Sequence, residues 1–213
     1  MEAGADMAGF VLFPASPRYV SPPRAAELAA LARGRTEICA LIVDFDDQAI
    51  GEIVETLKPD WLQLHGTESI ARTKAVRRHF GVKVMKAVGI REKADLSLAY
   101  SFADCADRLL LDAKPPAGAD RPGGHGMSFA WRLLADFDPK GGFLLSGGLN
   151  ADNVGAALAA SHAIGVDVSS GVESEPGNKS VEKIHAFVCA ARQAEAVRAK
   201  GLAKASPLQA AHS

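Results

Sequence analysis

Asp112 stands directly behind three leucines in Leu109-Leu-Leu-Asp112, and it is the residue of this chain best placed to trade a proton. A carboxyl group at the rim of an apolar core is desolvated, which raises its pKa toward the range of a general acid. The alternative is a structural carboxylate paired with Lys114, which would lower that pKa instead. Arg18 lies in the proline-stiffened stretch Phe13-Pro-Ala-Ser-Pro-Arg-Tyr-Val20. A guanidinium held in one orientation there can clamp a carboxylate with two parallel hydrogen bonds; the alternative is a solvated arginine. His65 in Gln63-Leu-His-Gly66, Lys86 and Asp167 complete the polar candidates, with His65 as a donor or an ordinary hydrogen-bonded residue and Lys86 more readily turned away from the mouth than facing it.

Two apolar runs each end in a glycine and serine turn: Phe143-Leu-Leu-Ser-Gly-Gly-Leu-Asn150 and Gly165-Val-Asp-Val-Ser-Ser-Gly-Val-Glu173. Small residues at such turns leave backbone N–H groups uncovered, so Gly147, Gly148, Ser169, Ser170 and Gly171 are read as an anion grip. In an eightfold βα barrel, loops late in the chain hold phosphate in this manner.

The elements that must position these groups are legible as apolar runs at Ala8–Phe13, Ile38–Val43, Trp61–Leu64, Val82–Val88, Leu109–Leu111, Phe143–Leu145 and Val166–Val168. Each is nearly continuous in apolar character, as strands buried on both faces of a parallel sheet are. Helix starts are marked by Ser21-Pro22-Pro23, by Thr67-Glu68 and by Ser180 before Val181–Ala191. Repeats of roughly 20–35 residues are one βα unit each. The predicted fold class is α/β, a doubly wound sheet or a barrel; as a (β/α)8 TIM barrel, residues 1–193 would have strand 1 and most of helix 1 absent, leaving seven strands. An alanine-rich tail, 194–213, is expected to fray or be disordered. The glycine- and proline-rich stretch Lys114–Gly126 reads as an active-site loop, or else as a surface insertion.

With 213 residues, 48% of them hydrophobic, the chain can bury one sizeable core. Its 24 basic and 25 acidic residues are mixed along the chain, which argues against nucleic acid or anionic membrane as a partner. Cys39, Cys105 and Cys189 are scattered and odd in number, and there is no signal peptide or long apolar run, so a cytoplasmic location is expected. The six histidines show no ligand spacing, and Gly123-Gly-His-Gly126 lacks the lysine and hydroxyl of a nucleotide loop. No metal or other cofactor is expected.

In order, Glu2-Ala-Gly-Ala-Asp, Gly9-Phe-Val, Ser16-Pro-Arg-Tyr-Val, Leu62-Gln-Leu-His-Gly, Leu110-Leu-Asp-Ala-Lys, Gly123-Gly-His-Gly, Ser146-Gly-Gly-Leu-Asn-Ala-Asp-Asn-Val and Gly165-Val-Asp-Val-Ser-Ser-Gly-Val-Glu resemble the phosphoribosylanthranilate isomerases of tryptophan biosynthesis. The resemblance spans about residues 2–191. It implies an Amadori rearrangement of N-(5′-phosphoribosyl)anthranilate to 1-(2-carboxyphenylamino)-1-deoxyribulose 5-phosphate by a monomer or homodimer, without cofactor. It further implies Asp112 as general acid, Arg18 on the anthranilate carboxylate, the two turns on the phosphate, and His65 and Asp167 within the substrate site.

The family's first strand ends in Lys-Ile-Cys-Gly, whose cysteine is the base, and nothing here corresponds to it. Cys39, Cys105 and Cys189 are not expected to replace it, so the resemblance implies a coding start farther upstream. A second departure is His125 followed by Phe129-Ala-Trp131, where the family carries an acid. The alternatives are an inactive phosphate-binding barrel remnant or another phosphosugar barrel enzyme.

Overall fold

The computed structural model describes residues 2–113 and 131–205. The seven expected strands are all present: β1 (Met7–Val11), β2 (Glu37–Ile42), β3 (Trp61–Leu64), β4 (Lys83–Ile90), β5 (Arg108–Ala113), β6 (Phe143–Ser146) and β7 (Gly165–Val166). They form one parallel sheet in simple sequential order, so among the described residues β1 and β7 are its two edges. Helices α1 (Pro22–Ala32), α2 (Asp47–Leu57), α3 (Ile70–Phe80), α4 (Lys93–Phe102), α5 (Val154–Ala160) and α6 (Val181–Ala205) lie between or after the strands. The Lys114–Gly126 loop, with His125, falls outside the described residues.

Strand pleating sorts the core into two populations. Met7, Cys39, Trp61, Met85, Ala87, Leu110 and Leu144, taken from six consecutive strands, pack together as one cluster. Side chains from β1 and β6 can share a cluster only if the sheet curls, so these residues fill the inside of a half-closed barrel. Their neighbours in sequence, among them Ile38, Ala40, Leu62, Val84, Leu109, Leu111 and Phe143, join the helix residues Ala29, Ile53, Val76 and Phe102 in the outer core. Both faces are therefore dry, which explains why the strands read as unbroken apolar runs.

β7 is shorter than its apolar run. Asp167 and Val168 leave the ladder, although the Asp167 N–H still donates to Leu145 O at 2.8 Å. The chain then turns through a short 3-10 segment, Ser170–Val172, into the hairpin β8 (Glu173–Glu175) and β9 (Asn178–Lys179). α6 passes residue 193 without a break, anchored by Arg192 to Asp6 at 2.6 Å and by Arg198 to Ala163 O at 2.7 Å.

One expectation is corrected. The cap of α3 is Ser69, whose hydroxyl accepts the Arg72 N–H at 3.1 Å, because Thr67 and Glu68 are engaged elsewhere. Thr67 N–H donates to Asp44 at 2.7 Å. Glu68 is the partner of Lys86. Met85 and Ala87 point into the barrel, so Lys86 between them must point out, beneath the helices and away from the mouth. There its ammonium is 3% exposed and donates to Glu68 at 2.8 Å, Gly66 O at 2.8 Å and Leu64 O at 3.2 Å. Glu68 also accepts the Asp44 N–H at 2.9 Å, so this buried pair ties the loops after β2 and β3 together.

Removing one charge of a buried pair strands the other, at a cost of roughly 3–5 kcal/mol, whereas an exposed pair contributes about 0–1 kcal/mol. Glu68→Gln is thus expected to lower the unfolding free energy in urea by about 3 kcal/mol. Arg24→Ala, which breaks the exposed Arg24–Glu27 pair, should move it by less than about 1 kcal/mol. Equal effects would show that Lys86 is not sealed from water.

Candidate active site

In parallel strands of one direction, every carboxyl end falls on the same side of the sheet, and the inward parity continues one step past the apolar cluster. Stepping by two from Cys39 gives Leu41 and Val43; from Trp61, Gln63 and His65; from Leu110, Asp112; from Leu144, Ser146; from Gly165, Asp167. These residues surround one cavity of about 580 Å3, together with Arg18, Gly147, Gly148, Ser169 and Ser170. That volume suits a small phosphorylated molecule. The structure thus brings together Asp112, Arg18, His65, Asp167 and both small-residue turns, and it leaves Lys86 outside.

Asp112, one residue before the end of β5, lies opposite Ser146 of β6. Ser146 donates its hydroxyl to Asp167 Oδ2 at 3.1 Å. Burial pushes the Asp167 carboxyl above its ordinary pKa; the Ser146 bond and the nearby His65 and Lys179 oppose the shift, and the neighbouring Asp112 adds to it. His65 Nδ1 lies 3.0 Å from Gln63 Oε1, an atom that only accepts, so the proton of that contact is on the imidazole. Lys114 lies outside the described residues.

The turns that would hold an anion are forced by backbone geometry. Gly147 and Gly148 sit at φ +98° and +60°, in the left-handed region that favours glycine. Asn153 Nδ2 donates to Gly148 O at 2.9 Å and closes this turn. A Cβ on Gly171 would lie 1.8 Å from Leu149 O, so the loops after β6 and β7 touch at a point where only glycine fits. Lys179 Nζ donates to Ser169 O at 2.9 Å and Oγ at 3.3 Å, placing a cation beside the second turn.

Arg18 is half-buried and ion-paired. Its Nε and Nη2 each donate at 2.7 Å to Glu173, which is 7% exposed. These bonds, followed by one from Lys179 at 2.8 Å, outweigh burial and hold the Glu173 carboxyl down at about 2. Glu173, Lys179, Ser146 and Gln63 were not singled out from the sequence. Pleat parity would have found Gln63 and Ser146, two residues before His65 and two after Leu144. Nothing local marks Glu173 as the partner of a residue 155 positions away.

No cysteine lines the cavity. Cys39 is packed in the layer beneath it, and burial drives its thiol far above the ordinary range. Cys105 is buried, with its pKa raised by desolvation first, and Cys189 is exposed on α6.

A sequence profile of the family described as N-(5′-phosphoribosyl)anthranilate isomerase matches residues 1–190. The chain is 53% identical over 195 residues to the N-(5′-phosphoribosyl)anthranilate isomerase of Nitrobacter hamburgensis, covering 92% of this chain and 87% of that one. It is 50% identical over 201 residues to that of Sinorhizobium fredii, covering 94% and 90%. Among solved structures, the phosphoribosylanthranilate isomerase of Thermotoga maritima superposes with a TM-score of 0.80 at 33% identity, over 90% of each chain. A phosphoribosylanthranilate isomerase in complex with reduced 1-(o-carboxyphenylamino)-1-deoxyribulose 5-phosphate gives 0.78 at 30% identity, again over 90% of each. The cavity therefore sits in a (β/α)8 barrel fold of which seven strands are present, and the chain belongs to the N-(5′-phosphoribosyl)anthranilate isomerase family.

Proposed function

We propose that this chain carries its family's activity, the isomerisation of N-(5′-phosphoribosyl)anthranilate to 1-(2-carboxyphenylamino)-1-deoxyribulose 5-phosphate in tryptophan biosynthesis. The observation that carries this reading is the meeting, around one cavity, of Asp112, the Arg18 guanidinium and the two small-residue turns. Those are the three recognitions this substrate demands: an acid, a carboxylate clamp and a phosphate cradle. We place the reaction in the cytoplasm, a reading that the three unpaired thiols support.

The substrate's phosphate lies against the N–H groups of Gly147-Gly148 and Ser169-Ser170-Gly171, with Lys179 adding charge. Its anthranilate carboxylate meets the N–H groups of Arg18 that Glu173 leaves uncovered. Asp112 gives a proton to the furanose ring oxygen as the C1–O bond breaks, and the anilino nitrogen lone pair forms the Schiff base. Loss of the C2 proton then yields the enolamine, which tautomerises to the ketone. Asp167, whose burial favours its protonated form, and His65 hydrogen-bond the sugar hydroxyls. Among the described residues no thiol lines this cavity.

Turnover is followed by loss of anthranilate-type fluorescence, in the chain as given and in one extended at its N-terminus by a strand ending in Lys-Ile-Cys-Gly. The extended form is expected to be faster by about 10²–10⁴-fold, the usual contribution of a positioned base. Equal rates would show that a group already in the cavity takes the C2 proton. In the extended form Asp112→Asn should abolish turnover while product affinity stays within about tenfold, because a proton donor is lost and little binding surface. An equal fall in affinity would make Asp112 structural.

Gly171→Ala drives the loops after β6 and β7 apart, since its methyl collides with Leu149 O. It should raise KM by at least about tenfold, the value of one charge-assisted hydrogen bond to phosphate. An unchanged KM would place the phosphate elsewhere.

A further inference from the structure

Glu173 is the carboxylate on which the rim of the cavity converges, and the reaction as described gives it no part. It takes the Nε/Nη2 edge of Arg18 with two bonds of 2.7 Å, accepts Lys179 Nζ at 2.8 Å, and receives Lys183 Nζ on its backbone oxygen at 2.7 Å. A guanidinium has five N–H groups in a planar fork. Glu173 accepts two, and no other described side chain accepts from the remaining three, while Arg18 lines the cavity. Through Lys179 the same carboxylate reaches Ser169 of the phosphate turn. The turn at Gly177, at φ +88°, brings the Glu173 hairpin to the loop of Arg18, where a Cβ would lie 3.1 Å from Pro17 O.

We propose that Glu173 is the positioning residue of this site: it grips one edge of Arg18 and presents the Nη1/Nη2 edge to the substrate's carboxylate. The proposal rests on the reading of Arg18 given above. Glu173 and the substrate occupy different edges of one cation, so binding requires no displacement. Fixing the fork beforehand removes its rotamer freedom from the cost of binding.

The test uses calorimetry on the chain as given, Glu173→Gln, Arg18→Met and the double variant. Two ligands are compared: reduced 1-(o-carboxyphenylamino)-1-deoxyribulose 5-phosphate and its counterpart lacking the ring carboxylate. Glu173→Gln is expected to weaken the carboxylated ligand by at least about tenfold and the other by less than about twofold, with no further loss once Arg18 is absent. Tighter binding of the carboxylated ligand would make Glu173 its competitor. Equal weakening of both ligands would make it a support of the fold, and either result overturns the proposal.

A second readout needs no ligand. In ¹⁵N NMR the Arg18 Nε–H should exchange slowly with water in the chain as given and rapidly in Glu173→Gln; unchanged exchange overturns the positioning role. If the unsubstituted chain ignores the ring carboxylate, the assignment of Arg18 to the substrate fails, and the exchange rate still decides whether Glu173 fixes the guanidinium.

Discussion

Side chains along a β-strand alternate between its faces, and in a parallel sheet covered on both sides that alternation leaves no neutral position. The site depends on this constraint. Cys39, Trp61, Met85 and Leu110 fill the inside of the curl, and the same parity carried past them delivers Gln63, His65, Asp112, Ser146 and Asp167 to one mouth. A shift of one residue in any strand would exchange its inner and outer sets. Asp112 would then enter the helix layer, and an apolar side chain would take its place at the mouth. The parallel direction matters equally, since it puts every strand's carboxyl end at the same rim.

Charges are placed with the same economy. Lys86, Glu68 and Glu173, all buried, each have more than one partner, as burial requires. Lys86 spends its ammonium on Glu68 and two carbonyls, below the helices, and thereby fixes the loops from which His65 projects. Glu173 divides its carboxylate between Arg18 and Lys179 at the rim, where water still reaches the lysine. The first arrangement locks a scaffold; the second joins the loop after β1 to the loop after β7 around the space that a ligand enters. At the opposite, amino end of the strands, Glu37 accepts from Trp61 and from Lys83 at 2.9 and 3.0 Å, closing the floor with polar groups that are not available for chemistry. The cavity is thus held from below and from both sides, while its mouth keeps N–H groups uncovered.

The seven strands, their parallel character and the positions of Asp112, Arg18 and the two glycine turns were legible in the residues, because burial on two faces demands uninterrupted apolar runs and a tight turn demands glycine. The cap of α3 was misplaced on Thr67-Glu68 because a local capping pattern competes with partners contributed from elsewhere: Asp44 claims Thr67, and Lys86 claims Glu68. The direction of Lys86 follows from the parity of a whole strand rather than from its place near the strand's end.

By itself the sequence determined the secondary elements, their order and the residues at the ends of strands, since hydrophobic periodicity and turn chemistry are properties of neighbours along the chain. Only the tertiary structure decided which of those residues share a cavity, and that Arg18 arrives already gripped by Glu173, 155 residues away. Pairings of that kind are set by how the sheet curls and where loops return, and the separation between partners leaves no periodic trace in the sequence.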